Sequence, residues 1–187
     1  MARQGYEWSM RNSVYNEQLS TKRGNIWRPK LPLKIKIFLW LVYQNRVLTK
    51  CYRSKWAPTA SMVCALCAND EETSEHLFCT CSSRKSFGTS WNESQLLGFR
   101  SIEQLGKAAY SLTGPKDKSI AGEVKCCLVP TGLWAIWMTR NTIIFRGQCF
   151  YFENLWETFS GLVQDWGTLL GGARRVELNQ HGLSITA

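Results

Sequence analysis

The 187-residue chain contains no Asp-Asp pair, only two histidines, and no wholly apolar run longer than Ile37-Phe-Leu-Trp-Leu-Val-Tyr43. Each shortage removes a class of function. A seven-residue run cannot cross a bilayer, which takes about 20 apolar residues as a helix, so no membrane partner is expected. Two-metal phosphoryl transfer needs clustered carboxylates, and an aromatic-x-Asp-Asp turn is missing. Acid–base or nucleophilic chemistry built on histidine has few players, because His181 lies in a polar tail and His76 lies in a cysteine cluster. No secretory leader is read at the start, which sets the expectation of a reducing compartment and unpaired thiols.

Apolar residues make up 44% of the chain and charged residues 20%, enough to build a core and too few charges for disorder. Nine tryptophans and eight phenylalanines favour a helical or mixed core of large rings. The net charge of +9 is unevenly placed. Residues 1–56 hold twelve Lys/Arg against two Glu, and residues 57–187 hold eleven against twelve Asp/Glu. The basic third includes Lys22, Arg23, Arg28, Lys30, Lys34, Lys36, Arg46, Lys50, Arg53 and Lys55. Such a patch can neutralise phosphates of RNA or DNA, or can be an ordinary solvated face.

Eight cysteines are present, and four of them fall between residues 64 and 81. Cys64 and Cys67 form a C-x2-C pair, which wraps an ion in a tight turn. His76 and Cys81 follow as H-x4-C and complete a tetrahedral donor set for one Zn2+. Cys79 offers H-x2-C as an alternative fourth ligand. Thr73 reads as a helix cap behind Asp70, Glu71 and Glu72. That cap puts His76 on the first turn and Cys81 just past the last, both facing the C-x2-C turn, and so favours Cys81. Four protein ligands describe a closed, structural site. A catalytic zinc keeps an open position, here beside a base such as Glu72 or Glu75.

Elsewhere the pattern is helical. Residues 6–18 read as an extended lead-in and a helix, and residues 19–25 as a polar loop. Pro32 suits a first helical position, and residues 32–45 read as a buried helix. A strand is the alternative, since Leu33, Ile35, Ile37, Leu39 and Leu41 alternate with lysines until Phe38 and Trp40 break the period. Lys34 and Lys36 then oppose the helix dipole and call for an outside anion. Thr49 caps a second short helix that ends before Pro58.

Residues 92–125 combine an amphipathic stretch (Leu96, Leu97, Ile102, Leu105) with a turn at 114–118. Residues 131–146 form a helix that buries Leu133, Ile136, Trp137, Ile143, Ile144 and Phe145 and stops at Gly147. Residues 153–170 carry a seam of Leu155, Phe159, Leu162, Trp166 and Leu169 that closes a helical hairpin. The expected fold is mainly α, a small helical domain with a CCHC zinc knuckle and a C-terminal helical hairpin. Its divisions are 1–150 with the knuckle at 64–81, a packing helix at 151–170, and a flexible tail at 171–187.

Four stretches in order resemble the zinc-binding domain downstream of the polymerase in plant LINE-type (non-LTR) reverse transcriptases. Tyr6-Glu-Trp8-Ser-Met-Arg-Asn-Ser13-Val-Tyr15 is similar to that family's opening G-x-F-S-V-[KR]-S-A-Y. Ile26-Trp27-Arg-Pro29-Lys-Leu-Pro32-Leu-Lys34-Ile-Lys-Ile-Phe38-Leu-Trp40 resembles its I-W…P-x-K…F-x-W signature. Cys64, Cys67, Glu72-Thr73, His76-Leu-Phe78 and Cys81 resemble its C-x2-C…E-T-x-x-H-L-F-x-x-C. Leu133-Trp134-x2-Trp137-x2-Arg140-Asn141-x3-Phe145 is similar to the helix that follows. Departures touch packing positions: a displaced glycine at Gly5, and Phe87 near the place of a tryptophan. The resemblance implies Cys81 as fourth ligand, one structural zinc, a polymerase domain as possible partner and nuclear work inside the cell.

The expected function is therefore a zinc-stabilised, non-catalytic nucleic-acid-binding accessory module. The alternative is a protein-interaction or structural domain, as an isolated retroelement remnant would be. Three thiolates outweigh Zn2+, so the knuckle is negative and repels phosphate. The contacts then belong to Arg28, Lys30, Lys34, Lys36, Arg46, Lys50, Arg53 and Lys55, with the knuckle bracing the Lys50–Lys55 segment. Trp27, Tyr43 and Trp56 can stack on bases, although core packing is the favoured role for all three.

Overall fold

A computed structural model describes residues 26–27, 31–57, 61–83, 99–105 and 120–167. The expected elements at 6–18 and 19–25, Leu96, Leu97, Leu169, the turn at 114–118, Phe87 and the 171–187 tail lie outside these residues. The described residues are mainly helical and contain no extended strand. The only pairing among them is an isolated antiparallel bridge between Val63 and Glu71.

Helix α1 spans Leu33–Tyr43. Its buried residues are Ile35, Phe38, Leu39 and Val42, spaced i, i+3, i+4, i+7, which is the helical period. The strand-like alternation arises because Leu33 and Ile37 are also apolar yet face solvent. Pro32 is the cap residue, with extended ψ of 142°, and the helix begins one residue later than expected. Its carbonyl accepts from the Ile35 and Lys36 N–H groups, so proline contributes its acceptor at the boundary. At the far end Asn45 adopts φ of 51°. Its N–H donates to Val42 O and that of Arg46 to Leu41 O, the double closure of a Schellman cap.

Helix α2 is the single turn Lys50–Arg53, capped by Thr49 Oγ1, which accepts from the Tyr52 N–H at 3.3 Å. Helix α3 spans Ile120–Arg146, well upstream of the expected start at 131, and runs through Pro130. Proline removes one helical hydrogen bond and costs about 3 kcal/mol in an exposed helix. Here Leu128, Val129 and Leu133 on either side of it are all buried, and their packing offsets that loss. Gly147, at φ of +64°, ends the helix as expected. Phe145 does not belong to the core: it is 69% exposed. Trp137, Ile143 and Ile144 are half-buried.

Helix α4 spans Phe152–Gly167 and packs on α3, forming the hairpin. Among the described side chains of α4, which exclude Trp166, Leu155, Phe159 and Val163 are buried, spaced i, i+4, i+8, and Leu162 is only half-buried beside them. Phe38 of α1 joins the two halves of the protein. Its ring meets Phe78 at 5.8 Å and Trp134 at 5.1 Å edge-on, and stacks on Trp137 at 6.1 Å. One ring thus ties α1, the segment after the C-x2-C turn, and α3.

Candidate metal centre

The C-x2-C turn is built by backbone hydrogen bonds around residues 62–72. Cys64 N–H donates to Asp70 O at 2.7 Å, Glu72 N–H to Met62 O at 2.8 Å, and Ala68 N–H to Cys64 O at 3.0 Å. Ala68 takes a positive φ of 56°, closing the turn behind Cys67. Thr73 then starts a helical turn, its Oγ1 accepting from the His76 N–H at 2.9 Å, so the expected cap is present.

Residues five apart on an α-helix point about 140° from one another, which would send His76 and Cys81 to different sides. The segment His76–Thr80 is instead a π-helical turn, and the Cys81 N–H donates to His76 O at 2.8 Å. The wider i→i+5 closure sets both side chains toward Cys64 and Cys67.

The ligand atoms of Cys64, Cys67, His76 and Cys81 all lie within 4.8 Å of one another. Cys64 and Cys81 sulfurs are 4.0 Å apart, and Cys67 sulfur is 3.3 Å from His76 Nε2. Zinc–sulfur bonds of about 2.3 Å imply tetrahedral S···S edges near 3.8 Å and slightly shorter S···N edges. The donor chemistry and spacing fit, and this set could bind one zinc ion. Cys79 is buried outside this cluster. Asp70 Oδ2 lies 3.7 Å from His76 Nδ1, on the side of the ring away from the sulfurs, and biases Nε2 to be the metal-facing nitrogen.

Glu72 links this cluster to the rest of the fold, and sequence reading missed the link. Its carboxylate is fully buried. Oε2 accepts from the Ala65 N–H inside the C-x2-C turn at 3.1 Å. Oε1 accepts from the Lys50 N–H at the start of α2, at 2.8 Å, and from Arg140 Nε and Nη2 at 3.1 and 2.6 Å. Arg140 of α3 is itself 1% exposed, donates to Leu48 O and to Asn141 Oδ1, and lies 4.8 Å from the Trp137 ring centroid. A buried carboxylate with this many charge-assisted donors is an acceptor in use, not a poised general base.

Residues 2–87 match the family described as zinc-binding in reverse transcriptase. The cluster and Glu72 lie inside that span of the zinc-binding family, while Arg140 and the aromatic pair Trp134 and Trp137 lie beyond it. A putative ribonuclease H protein of Arabidopsis thaliana is 29% identical over 79 residues, covering 42% of this chain and 13% of that protein. This chain therefore spans only a small part of the relative. No solved structure matches it.

The basic residues fall on separate elements. Arg28 and Lys30 lie outside the described residues. Lys34 is exposed, with Nζ 6.0 Å from the Trp134 centroid, and Lys36 Nζ donates to Trp27 O at 2.9 Å. The first-turn lysines of α1 thus have partners inside the chain as well as solvent. Lys50 Nζ donates to Val63 O at 2.7 Å, and Cys51 N–H reaches Glu72 O at 3.4 Å. With the Glu72 bond to Lys50, these contacts brace α2 on the metal loop. Arg46 and Lys55 are exposed, and Arg53 is half-buried. Of the three aromatics, Tyr43 packs on the core and burial raises its phenol pKa. Trp27 and Trp56 are 44% and 66% exposed, so core packing does not describe them.

Proposed function

We propose that this chain is a non-catalytic accessory module that grips RNA or DNA, with zinc acting as a staple for the fold, as expected of the region downstream of the polymerase in a LINE-type reverse transcriptase. The observation that carries the reading is the division of labour on either side of α2. The metal loop is closed by four protein ligands, and Glu72, the carboxylate best placed to act as a base, is consumed by Arg140 and two backbone N–H groups. The excess positive charge lies in residues 1–56, up to and including the element that loop braces. Lys34, Lys36, Arg46, Arg53 and Lys55 are the phosphate contacts in this reading, together with Arg28 and Lys30. Lys50 has a bracing role through Val63 O. A polymerase domain is the natural protein partner, and the nucleus the natural compartment. No helix among the described residues is long and apolar enough to cross a membrane.

Fluorescence anisotropy of the zinc-loaded chain with labelled RNA and DNA at several salt concentrations tests the reading. Affinity should fall steeply with salt, and Lys34→Glu with Lys36→Glu should abolish it. A second reading, a protein-interaction domain, draws on the exposed apolar residues Leu33, Ile37, Phe145 and Tyr151. Absence of binding at low salt would favour it.

A further inference from the structure

We infer that α2 and the turn after it carry a stacking platform for unpaired bases of single-stranded nucleic acid, with Trp56 as the platform and Arg53 and Lys55 as its phosphate contacts. This rests on the nucleic-acid reading above and makes it specific. Trp56 is the most exposed tryptophan among the described residues, at 66%, although a ring of that size ordinarily leaves water on folding. It is not loose. Its ring meets Tyr52 edge-on at 4.7 Å and 73°, and its backbone N–H donates to Arg53 O at 3.0 Å. Lys55 Nζ sits 5.0 Å from the Tyr52 centroid, so a cation already covers the neighbouring ring, while most of the Trp56 side chain stays open to solvent.

The support beneath the platform is polar and fixed. Thr49 caps α2, Glu72 accepts from the Lys50 N–H, and Lys50 Nζ holds Val63 O. Residues 44–57 contain four cations and no carboxylate. That charge balance matches a phosphate backbone and disfavours a cationic protein partner. Among the described residues, a single exposed ring on the turn after a one-turn helix is not a groove to seat a duplex. It offers a face, and only unpaired bases have a face to give in return.

The test uses the zinc-loaded full chain and labelled 12-nucleotide single strands of RNA and of DNA, with the matching duplexes. Single strands should bind more tightly than duplexes. Trp56→Ala should weaken single-strand binding by about tenfold or more, Trp56→Phe should keep most of the affinity, and Lys55→Gln should lower the salt slope by about one. Zinc content should be unchanged in all three. Equal single-strand affinity for Trp56→Ala and wild type, or equal affinity of the wild type for duplex and single strand, would overturn the platform while leaving the nucleic-acid reading in place. No binding of any oligonucleotide by the wild type at low salt would overturn both and assign this face to a protein partner.

Discussion

Around the metal cluster the buried residues include the polar set Cys64, Glu72, Ser74, His76, Cys81 and Arg140 beside apolar Leu66, Leu77 and Phe78, whereas between α3 and α4 the burial is dominated by Leu128, Leu133, Ile136, Leu155, Phe159 and Val163. The first region buries groups that water solvates well, and it holds them by mutual satisfaction: sulfurs and an imidazole placed to share one ion, a carboxylate among four donors. The second excludes water from apolar surface and needs no particular partner at any position. Failure should therefore be abrupt in the first region and graded in the second. Phe38, with Phe78 on one side and Trp134 and Trp137 on the other, is where the two stabilities meet.

Removing the metal should separate the regions most sharply. Apparent zinc-binding energies of about 10–16 kcal/mol in small zinc modules are folding energy. Chelation should therefore melt the 61–83 segment while much of the α3–α4 helicity survives, read by far-UV circular dichroism and hydrogen exchange. Cys64→Ser or Cys81→Ser should abolish stoichiometric zinc by elemental analysis, and Cys79→Ser should retain it. An unchanged spectrum after chelation would refute the staple.

Next comes the ion pair. Arg140→Met leaves Glu72 buried without its cation and should cost about 3–5 kcal/mol. Adding Glu72→Gln should restore part of that loss. Chemical denaturation of both single variants and the double variant measures the coupling, and additive losses would show that the pair acts as two independent groups. In the hairpin, Phe159→Ala should also cost about 3–5 kcal/mol, through a cavity, yet leave zinc stoichiometry intact. Loss of zinc in that variant would mean the two regions form one cooperative unit.

The cluster of four candidate zinc donors was legible because zinc geometry acts over short sequence distances: C-x2-C, a threonine cap, and a histidine and cysteine five apart. Spacing alone does not reveal that a π-helical turn aims the last two. Helix α1 was legible from the collapse of alternation at Phe38 and Trp40. The start of α3 was not, because a proline reads as a boundary while the burial that overrides it at Leu128 and Val129 is tertiary. Glu72 and Arg140 stand 68 residues apart, and nothing in local pattern marks a carboxylate as a buried acceptor instead of a surface charge. Both stood within motifs of the family resemblance, so the signal was present without its physical meaning. The exposure of Trp56 and Phe145 escaped for the converse reason, since composition favours large rings inside.

The smallest effect is expected at the joint between α1 and α2, where Asn45 holds a left-handed φ of 51°. That conformation carries the two hydrogen bonds to Val42 O and Leu41 O and turns the chain so that buried Val47 and Thr49 follow. Asparagine tolerates it better than other side chains, and glycine tolerates it best. Asn45→Ala should therefore lower stability by about 1 kcal/mol, while Asn45→Gly should lie within about 0.5 kcal/mol of the wild type, the relief of strain offsetting the greater freedom of the unfolded chain. Thermal denaturation of the zinc-loaded protein distinguishes them. If alanine and glycine behaved alike, the left-handed cap would not be what stops α1, and the orientation of α2 against the metal loop would rest on the Glu72 contacts alone.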